Sequence, residues 1–256
     1  MRVNIIDRHD WLELLVRAEE FMARIQGNEV FIVRGFMDTA QVDAFKSFCL
    51  KFSADTEATW QPCLDGCPDY HRIHHNYPNA YVPSIQHAYY FHPWNERFAS
   101  LNAFTGFKEI FELKRATGGL SNNDFLTNLP SEGPIARLVS HQYPRGGGGQ
   151  AEHIDPVSPF AKVQTIIQAA SPGIDYRSGG FYVNDPHFGV INIDALTRKG
   201  DLILVSPGVR HGVAPIDPEE PLDWSNTDGR WIIMPIIINS DHVKDPALKP
   251  MKVGAM

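Results

Sequence analysis

Three side chains set the tightest constraint on how this chain folds. His153 and Asp155 stand two residues apart, and His211 follows only after the whole of residues 156–210. On an extended strand residues i and i+2 point to the same side, so His153 and Asp155 reach one point together while Ile154 faces the core. His211 must then arrive on another strand, supplied by Gly200-Asp201-Leu202-Ile203-Leu204-Val205-Ser206-Pro207. The sequence between is made of short apolar runs, as a β-sandwich or barrel needs. Two imidazoles and one carboxylate meeting in this way cap one face of a metal ion and leave the other face open. Fe(II), Zn and Mn all suit such a donor set.

The texture of the chain agrees with a barrel in its second half. Ile135–Tyr143, Lys162–Ala170, Gly180–Val183, Asp201–Val205 and Trp231–Ile238 read as strands separated by turn residues. The last is apolar on both faces and so reads as buried, while Pro235 within it argues for a bulge or an edge position. The first half reads differently. Trp11, Leu14, Leu15, Ala18, Phe21, Met22 and Ile25 recur at helical spacing and predict one amphipathic helix over residues 8–25. Val30–Val33 predicts a strand ending at Gly35, and Asp38-Thr39 can cap a helix over residues 40–52. Residues 60–100 are aromatic, His-rich and broken by prolines, and read as loops and short strands. Phe107–Ala116 predicts a helix that stops at Gly118-Gly119. The class is α+β, mainly β: helices first, then a β-barrel or jelly roll in one compact unit.

Composition narrows the partners. With 43% hydrophobic and 21% charged residues over 256 positions, a sizeable core is available. A net charge of −7 disfavours a generic nucleic-acid or anionic-membrane binder, with a local basic patch as the alternative. Residues 1–10 carry charges where a signal peptide needs an apolar stretch, and no uncharged apolar run is long enough to span a bilayer. Cys49, Cys63 and Cys67 make an odd count with no export signal, which predicts reduced thiols in a cytoplasmic protein.

Four motifs in order resemble those of Fe(II)/2-oxoglutarate-dependent dioxygenases, in the prolyl-4-hydroxylase-like and phytanoyl-CoA-hydroxylase-like branch. Tyr143 and the glycines leading to His153-Ile154-Asp155 resemble the family's entry motif. Tyr176-Arg177-Ser178-Gly179-Gly180-Phe181-Tyr182-Val183 resembles its double-glycine strand. Lys199-Gly200-Asp201 through His211-Gly212-Val213-Ala214-Pro215 resembles its distal-histidine strand, and Gly229-Arg230-Trp231-Ile232-Ile233 the strand that follows. The match covers about residues 134–240, and Val30–Phe36 is loosely similar to the family's opening strand.

The resemblance implies a double-stranded β-helix (jelly roll, cupin-like) core with N-terminal helices. It implies a single catalytic domain over residues 1–256: a helical and loop-rich part at 1–130, the β-helix core with the metal site at 131–240, and a C-terminal tail at 241–256. It implies an oxidoreductase that takes Fe(II), 2-oxoglutarate and O2, with His153, Asp155 and His211 as metal ligands and catalytic residues. Arg230 would hold the distal carboxylate of 2-oxoglutarate through a bidentate fork, with hydroxyls from Tyr143 and Thr165. Lys162, Arg137 and Arg210 compete for the cation role. The competing use of Arg230 is an ion pair with the acidic segment at Asp217, Glu219, Glu220 or Asp223, an insertion that sets Arg230 further from His211 than the family's pattern. Tyr143 and Thr165 read equally as packing residues of the sheet. Halogenases of this kind lack the carboxylate, so an intact Asp155 favours hydroxylation or another oxidation over halogenation.

Other features divide between bland and functional uses. Gly146–Gly149 lacks the ending of a phosphate loop and reads as a flexible hairpin, with a lid over the iron as the alternative. Cys63, Cys67, His71 and His74 could be drawn as a zinc site, but at no common zinc spacing. Trp60, Tyr89, Tyr90, Phe91 and Trp94 read as core. The segment from His71 to Trp94 can also line a substrate mouth, with Arg72, His74, His75, Asn76, Tyr77 and Trp94 as the contacts. A polar, His-rich mouth suggests a small polar metabolite, an amino acid or a sugar-derived acid. The competing readings are a protein side chain as substrate, a cupin-type metal enzyme without 2-oxoglutarate, and a non-catalytic β-barrel binding module.

Overall fold

In the computed structural model residues 1–58, 69–76, 80–93, 105–129 and 132–238 are described. The first half contributes β1 (Arg2–Ile6), α1 (Arg8–Val16), α2 (Ala18–Gln26), β2 (Glu29–Val33), α3 (Thr39–Asp55), β3 (Tyr70–His75), β4 (Ser84–Phe91) and α4 (Thr105–Gly118). The second half contributes β5 (Ile135–Tyr143), β6 (Gly148–His153), β7 (Gln164–Gln168), β8 (Gly180–Asp185), β9 (Gly189–Asn192), β10 (Leu202–Val205), β11 (Arg210–Ile216) and β12 (Arg230–Ile238).

The strand order is β1-β2-β10-β7-β12-β5-β4-β6-β11-β8-β9, with β3 on β4. The path turns back where β4 leaves β5 to pair with β6, so β10-β7-β12-β5 forms one wall and β6-β11-β8-β9 the other. This is a jelly-roll core. β2 and β1 extend the first wall beyond β10, and β4 and β3 extend it beyond β5. One hydrophobic cluster joins the helices to the core through Trp11, Phe31, Phe45, Phe91 and Trp231. Among the described residues no helix is long and apolar enough to cross a membrane.

The expected single helix over 8–25 is two helices. The chain leaves helical geometry at Arg17 (φ −106°, ψ 47°), and the break lets Trp11 and Phe21 meet edge to face at 6.3 Å. Asp7 starts α1 with a capping box, and Asp38 caps α3 by accepting from the Ala40 amide.

The glycine run is a packed turn and strand start rather than a flexible hairpin or a lid. Gly146 and Gly147 take φ of +88° and +107°, open to glycine and strained for other residues. A Cβ on Gly146 would lie 2.5 Å from the Leu222 amide nitrogen, because the segment between β11 and β12 crosses there. That segment is anchored by Arg145 on Asp217 (2.8 Å) and Glu220, by Gln142 on the Asn226 and Asp228 carbonyls, and by Trp231 on the Thr227 carbonyl. Its acidic residues are therefore used in folding it down.

Pro235 sits on an interior strand at a local edge, one of the two expected positions, and no bulge interrupts its pairing with β5. β12 pairs with β5 along its whole length, but with β7 only at Ile232 and Ile233. Beyond that point the Thr165 hydroxyl donates to the Pro235 carbonyl at 3.2 Å. The missing proline N–H therefore falls where the β7 ladder has already ended.

Candidate metal centre

β6 and β11 run antiparallel with His153 directly opposite His211, and their ring centroids are 4.4 Å apart. Asp155 lies two residues past the end of β6, where its amide donates to the Pro207 carbonyl at 3.0 Å. Its carboxylate oxygens stand 3.4 Å from His153 Nε2 and 3.3 Å from His211 Nε2. Ile154 does not face the core as expected: it is 43% exposed at the rim. Its carbonyl accepts from the Tyr81 hydroxyl at 2.6 Å, and the Tyr81 ring stands edge-on to His153.

The protonation of the two imidazoles follows from their neighbours. His153 Nδ1 is 2.9 Å from the Ala151 carbonyl and His211 Nδ1 is 2.7 Å from the Val209 carbonyl. A carbonyl only accepts, so each Nδ1 carries a proton, and Nε2 is the nitrogen each imidazole presents to Asp155 or to a metal. Burial opposes ionisation of Asp155, but the hydrogen bonds and charges of His153 and His211 outweigh it and hold the carboxyl well below its usual range. Burial likewise opposes the charged form of His153, and Asp155 outweighs it and raises that imidazole. Two imidazole Nε2 atoms and an ionised carboxylate within 4.8 Å of one another suit a first-row metal ion.

The triad opens onto a cavity of about 260 Å³ between the two walls. Its polar residues include His141, Tyr143, Gln150, Gln164 and Arg230, and its apolar sides come from residues such as Ile166, Phe181, Val213 and Ile232. Arg230 is only 1% exposed. Its Nε and Nη2 donate to Asp194 at 2.6 and 3.1 Å, while Nη1 has no hydrogen-bond partner among the described residues. Tyr176 donates to the same Asp194 carboxylate at 2.5 Å. The double glycine makes this room: a Cβ on Gly180 would lie 2.5 Å from Asp194 Oδ2. Asp194 thus supplants the acidic 217–223 segment as the partner of Arg230, and nothing local in the sequence marks it.

Tyr143 lines the cavity beneath Arg230, whose guanidinium lies 5.5 Å from the ring centroid. The Tyr143 hydroxyl donates to Gln150 at 3.1 Å and accepts from His141 Nδ1 at 3.2 Å. Thr165 is placed elsewhere. Its neighbours Gln164 and Ile166 line the cavity, so strand alternation turns Thr165 to the other face, onto Pro235. Of the competing cations, Arg137 donates to His92 at 3.1 Å, Arg210 lies 3.7 Å from Glu152, and neither they nor Lys162 line the cavity.

The segment expected at the substrate mouth is a strand pair. Arg72 packs over the rings of Tyr70 and Tyr90 at 4.5 and 5.2 Å. Tyr90 lines the cavity, so Arg72, and His74 two residues on, occupy the cavity-side face of the sheet. Neither lines the cavity itself. His75 turns to the opposite face, against Trp224, and Asn76 closes the hairpin at φ +48° by donating its amide to the Ser84 carbonyl. Tyr89 and Phe91 are core, as expected. Trp60, Cys63, Cys67, Tyr77 and Trp94 lie outside the described residues. His71 stacks on His87 and Tyr89 on the reverse face from His74, so those two cannot share a zinc ion.

The buried histidines give a pH signature. Burial pushes His74 down to about 3, helped by the charge of Arg72. It pushes His87 to about 4 and His141 to about 3. The unfolded chain takes up these protons near pH 6.5, and the folded chain refuses them until much lower pH. Their contribution is complete above pH 6.5 and is lost as pH falls toward 4, by up to about 1.4 kcal/mol per unit for each histidine. Urea midpoints of the metal-free protein should decline steadily from pH 7 to 5. A flat profile would contradict these environments.

Comparison with solved structures places the fold. A prolyl-4-hydroxylase from Pseudomonas putida is similar with a TM-score of 0.53 and 12% identity, over 86% of this chain and 97% of that one. A prolyl hydroxylase from Trichoplax adhaerens, in complex with a hypoxia inducible factor oxygen degradation domain peptide fragment, is similar with a TM-score of 0.52 and 14% identity, over 93% of this chain and 96% of that one. The chain shares the jelly-roll fold of these enzymes. No protein-family model matches the sequence, and no curated protein matches it.

Proposed function

We propose that this chain is an Fe(II)- and 2-oxoglutarate-dependent oxygenase that hydroxylates a C–H bond of a small polar metabolite, an amino acid or a sugar-derived acid. For each substrate hydroxylated, one O2 and one 2-oxoglutarate are consumed, and one succinate and one CO2 are released. One observation carries the reading. His153, Asp155 and His211 converge on one wall of a cavity that also holds Arg230 Nη1, a buried cationic donor with no hydrogen-bond partner among the described residues. A 2-oxo dicarboxylate has a group for each. The fold likeness to two prolyl hydroxylases supports the same reading.

His153 Nε2, His211 Nε2 and the Asp155 carboxylate would hold the iron, which when bound supplies the O2 chemistry that side chains lack. The rest falls to the chain. The Ala151 and Val209 carbonyls hold a proton on each Nδ1, which makes Nε2 the coordinating nitrogen of both imidazoles. Asp194 fixes the Arg230 fork by two of its nitrogens and leaves Nη1 to donate to the distal carboxylate. The Tyr143 hydroxyl lies on the same side of the cavity. Ile166, Phe181, Val213 and Ile232 keep water from the bound cosubstrate. Arg72 and His74 share the cavity-side face of the sheet and are assigned to the polar end of the substrate.

Calorimetry with the redox-silent ion Mn(II) tests the assignment. 2-Oxoglutarate should bind the Mn(II)-loaded protein and not the metal-free protein. Binding of Mn(II) without any 2-oxoglutarate binding would indicate a cupin-type enzyme. Binding of neither would leave a non-catalytic module. A metabolite panel scored by stimulated succinate release then identifies the substrate.

A further inference from the structure

We infer that Gln164 is a positioning residue of the metal centre: it fixes the Asp155 carboxylate from the opposite wall of the jelly roll. The inference rests on the triad being a metal site. Gln164 Nε2 donates to Asp155 Oδ2 through a short hydrogen bond. The same oxygen lies 3.3 Å from His211 Nε2, whereas among the described residues Oδ1 meets only His153 Nε2, at 3.4 Å. With Oδ2 engaged by the carboxamide, Asp155 keeps Oδ1 for the ion.

The geometry gives Gln164 work that no other described side chain shares. Asp155 lies beyond the end of β6, where strand pairing no longer fixes its rotamer. Its amide is tied to Pro207, just past β10, and its carboxylate to Gln164, the first residue of β7. Gln164 pairs with Val205 in β10, so both tethers come from the same wall. The start of β7 is itself held, because the buried Lys114 on α4 donates to the Val163 carbonyl at 3.0 Å. A carboxamide suits the position. Its N–H donates to an ionised carboxylate without adding charge, whereas a glutamate there would add a second negative charge against Asp155.

Outer-sphere partners of metal ligands typically contribute 10–100-fold in affinity. The test measures Co(II) binding by the wild type, Gln164→Leu and Gln164→Glu, using both affinity and the ligand-field absorption spectrum. Gln164→Leu should weaken Co(II) about 10–100-fold and alter the band shape, because the carboxylate gains rotational freedom. Gln164→Glu should bind more weakly than wild type and differ in spectrum as well. Thermal denaturation of the metal-free variants separates a purely structural role, which would lower the melting temperature and leave the Co(II) spectrum of the folded protein unchanged. Unchanged affinity and spectrum in both variants would overturn the inference while leaving the metal site intact. A wild type that binds no Co(II) would overturn the metal site itself.

Discussion

Asp155→Ala abolishes turnover and weakens Fe(II) binding by at least about 100-fold, the upper end of what even outer-sphere partners contribute. The loss follows from charge as well as ligand count. Asp155 is the only carboxylate in the triad, and His153 and His211 hold it ionised. Without it two neutral imidazoles remain, and a divalent cation would be desolvated with no anion to meet it. The fold should survive, because Asp155 lies beyond the end of β6 and, among the described side chains, its carboxylate meets only His153, His211 and Gln164. Far-UV circular dichroism should overlay the wild type while metal titration shows the loss. Retained tight Fe(II) binding would show that the ion is held elsewhere.

Arg230→Met has the second large effect, and it reaches stability as well as cosubstrate. Removing Arg230 leaves Asp194, 1% exposed, with only the Tyr176 hydroxyl as a side-chain partner among the described residues. Breaking one side of a buried pair costs about 3–5 kcal/mol. Binding of 2-oxoglutarate should weaken tenfold or more, since losing one partner of a buried charge-assisted contact costs about 2–5 kcal/mol. The double variant Arg230→Met/Asp194→Leu separates the two effects. It should recover much of the stability, because an apolar pair can replace a buried ion pair at little net cost. It should not recover 2-oxoglutarate binding. Denaturant midpoints and calorimetry read the two quantities separately. A double variant that binds 2-oxoglutarate as the wild type does would remove Arg230 from the cosubstrate site.

The parts of the fold legible in the sequence are those whose burial is periodic. β5 matches its expected bounds and β12 differs by one residue, because their apolar runs are long and face a core on both sides. β6 and β11 are hidden by composition. β6 opens on two glycines, and β11 contains Gly212 and Pro215, all of which read as turn residues. The break at Arg17 carries no glycine or proline to announce it. The triad is legible as residue types and order but not in its geometry: Asp155 lies past the end of β6, and His211 rides on β11 instead of the expected strand at 201–205. Its supports are not legible. Asp194 reaches Arg230 only because Gly180 has no side chain, and Gln164 reaches Asp155 only through the packing of one wall on the other. The same limit governs the expected substrate contacts. Alternation along β3 sends His74 and His75 to opposite faces, which a list of polar residues cannot anticipate.

The most direct measurement of the central claim is the stoichiometry of 2-oxoglutarate turnover. Wild-type protein loaded anaerobically with Fe(II), given 2-oxoglutarate and then air, should release succinate and CO2 in equal amounts. The yield should rise when the right substrate is added and vanish in Asp155→Ala. Fe(II)-loaded protein that binds O2 or a substrate but leaves 2-oxoglutarate unconsumed, with or without added metabolites, would contradict the account.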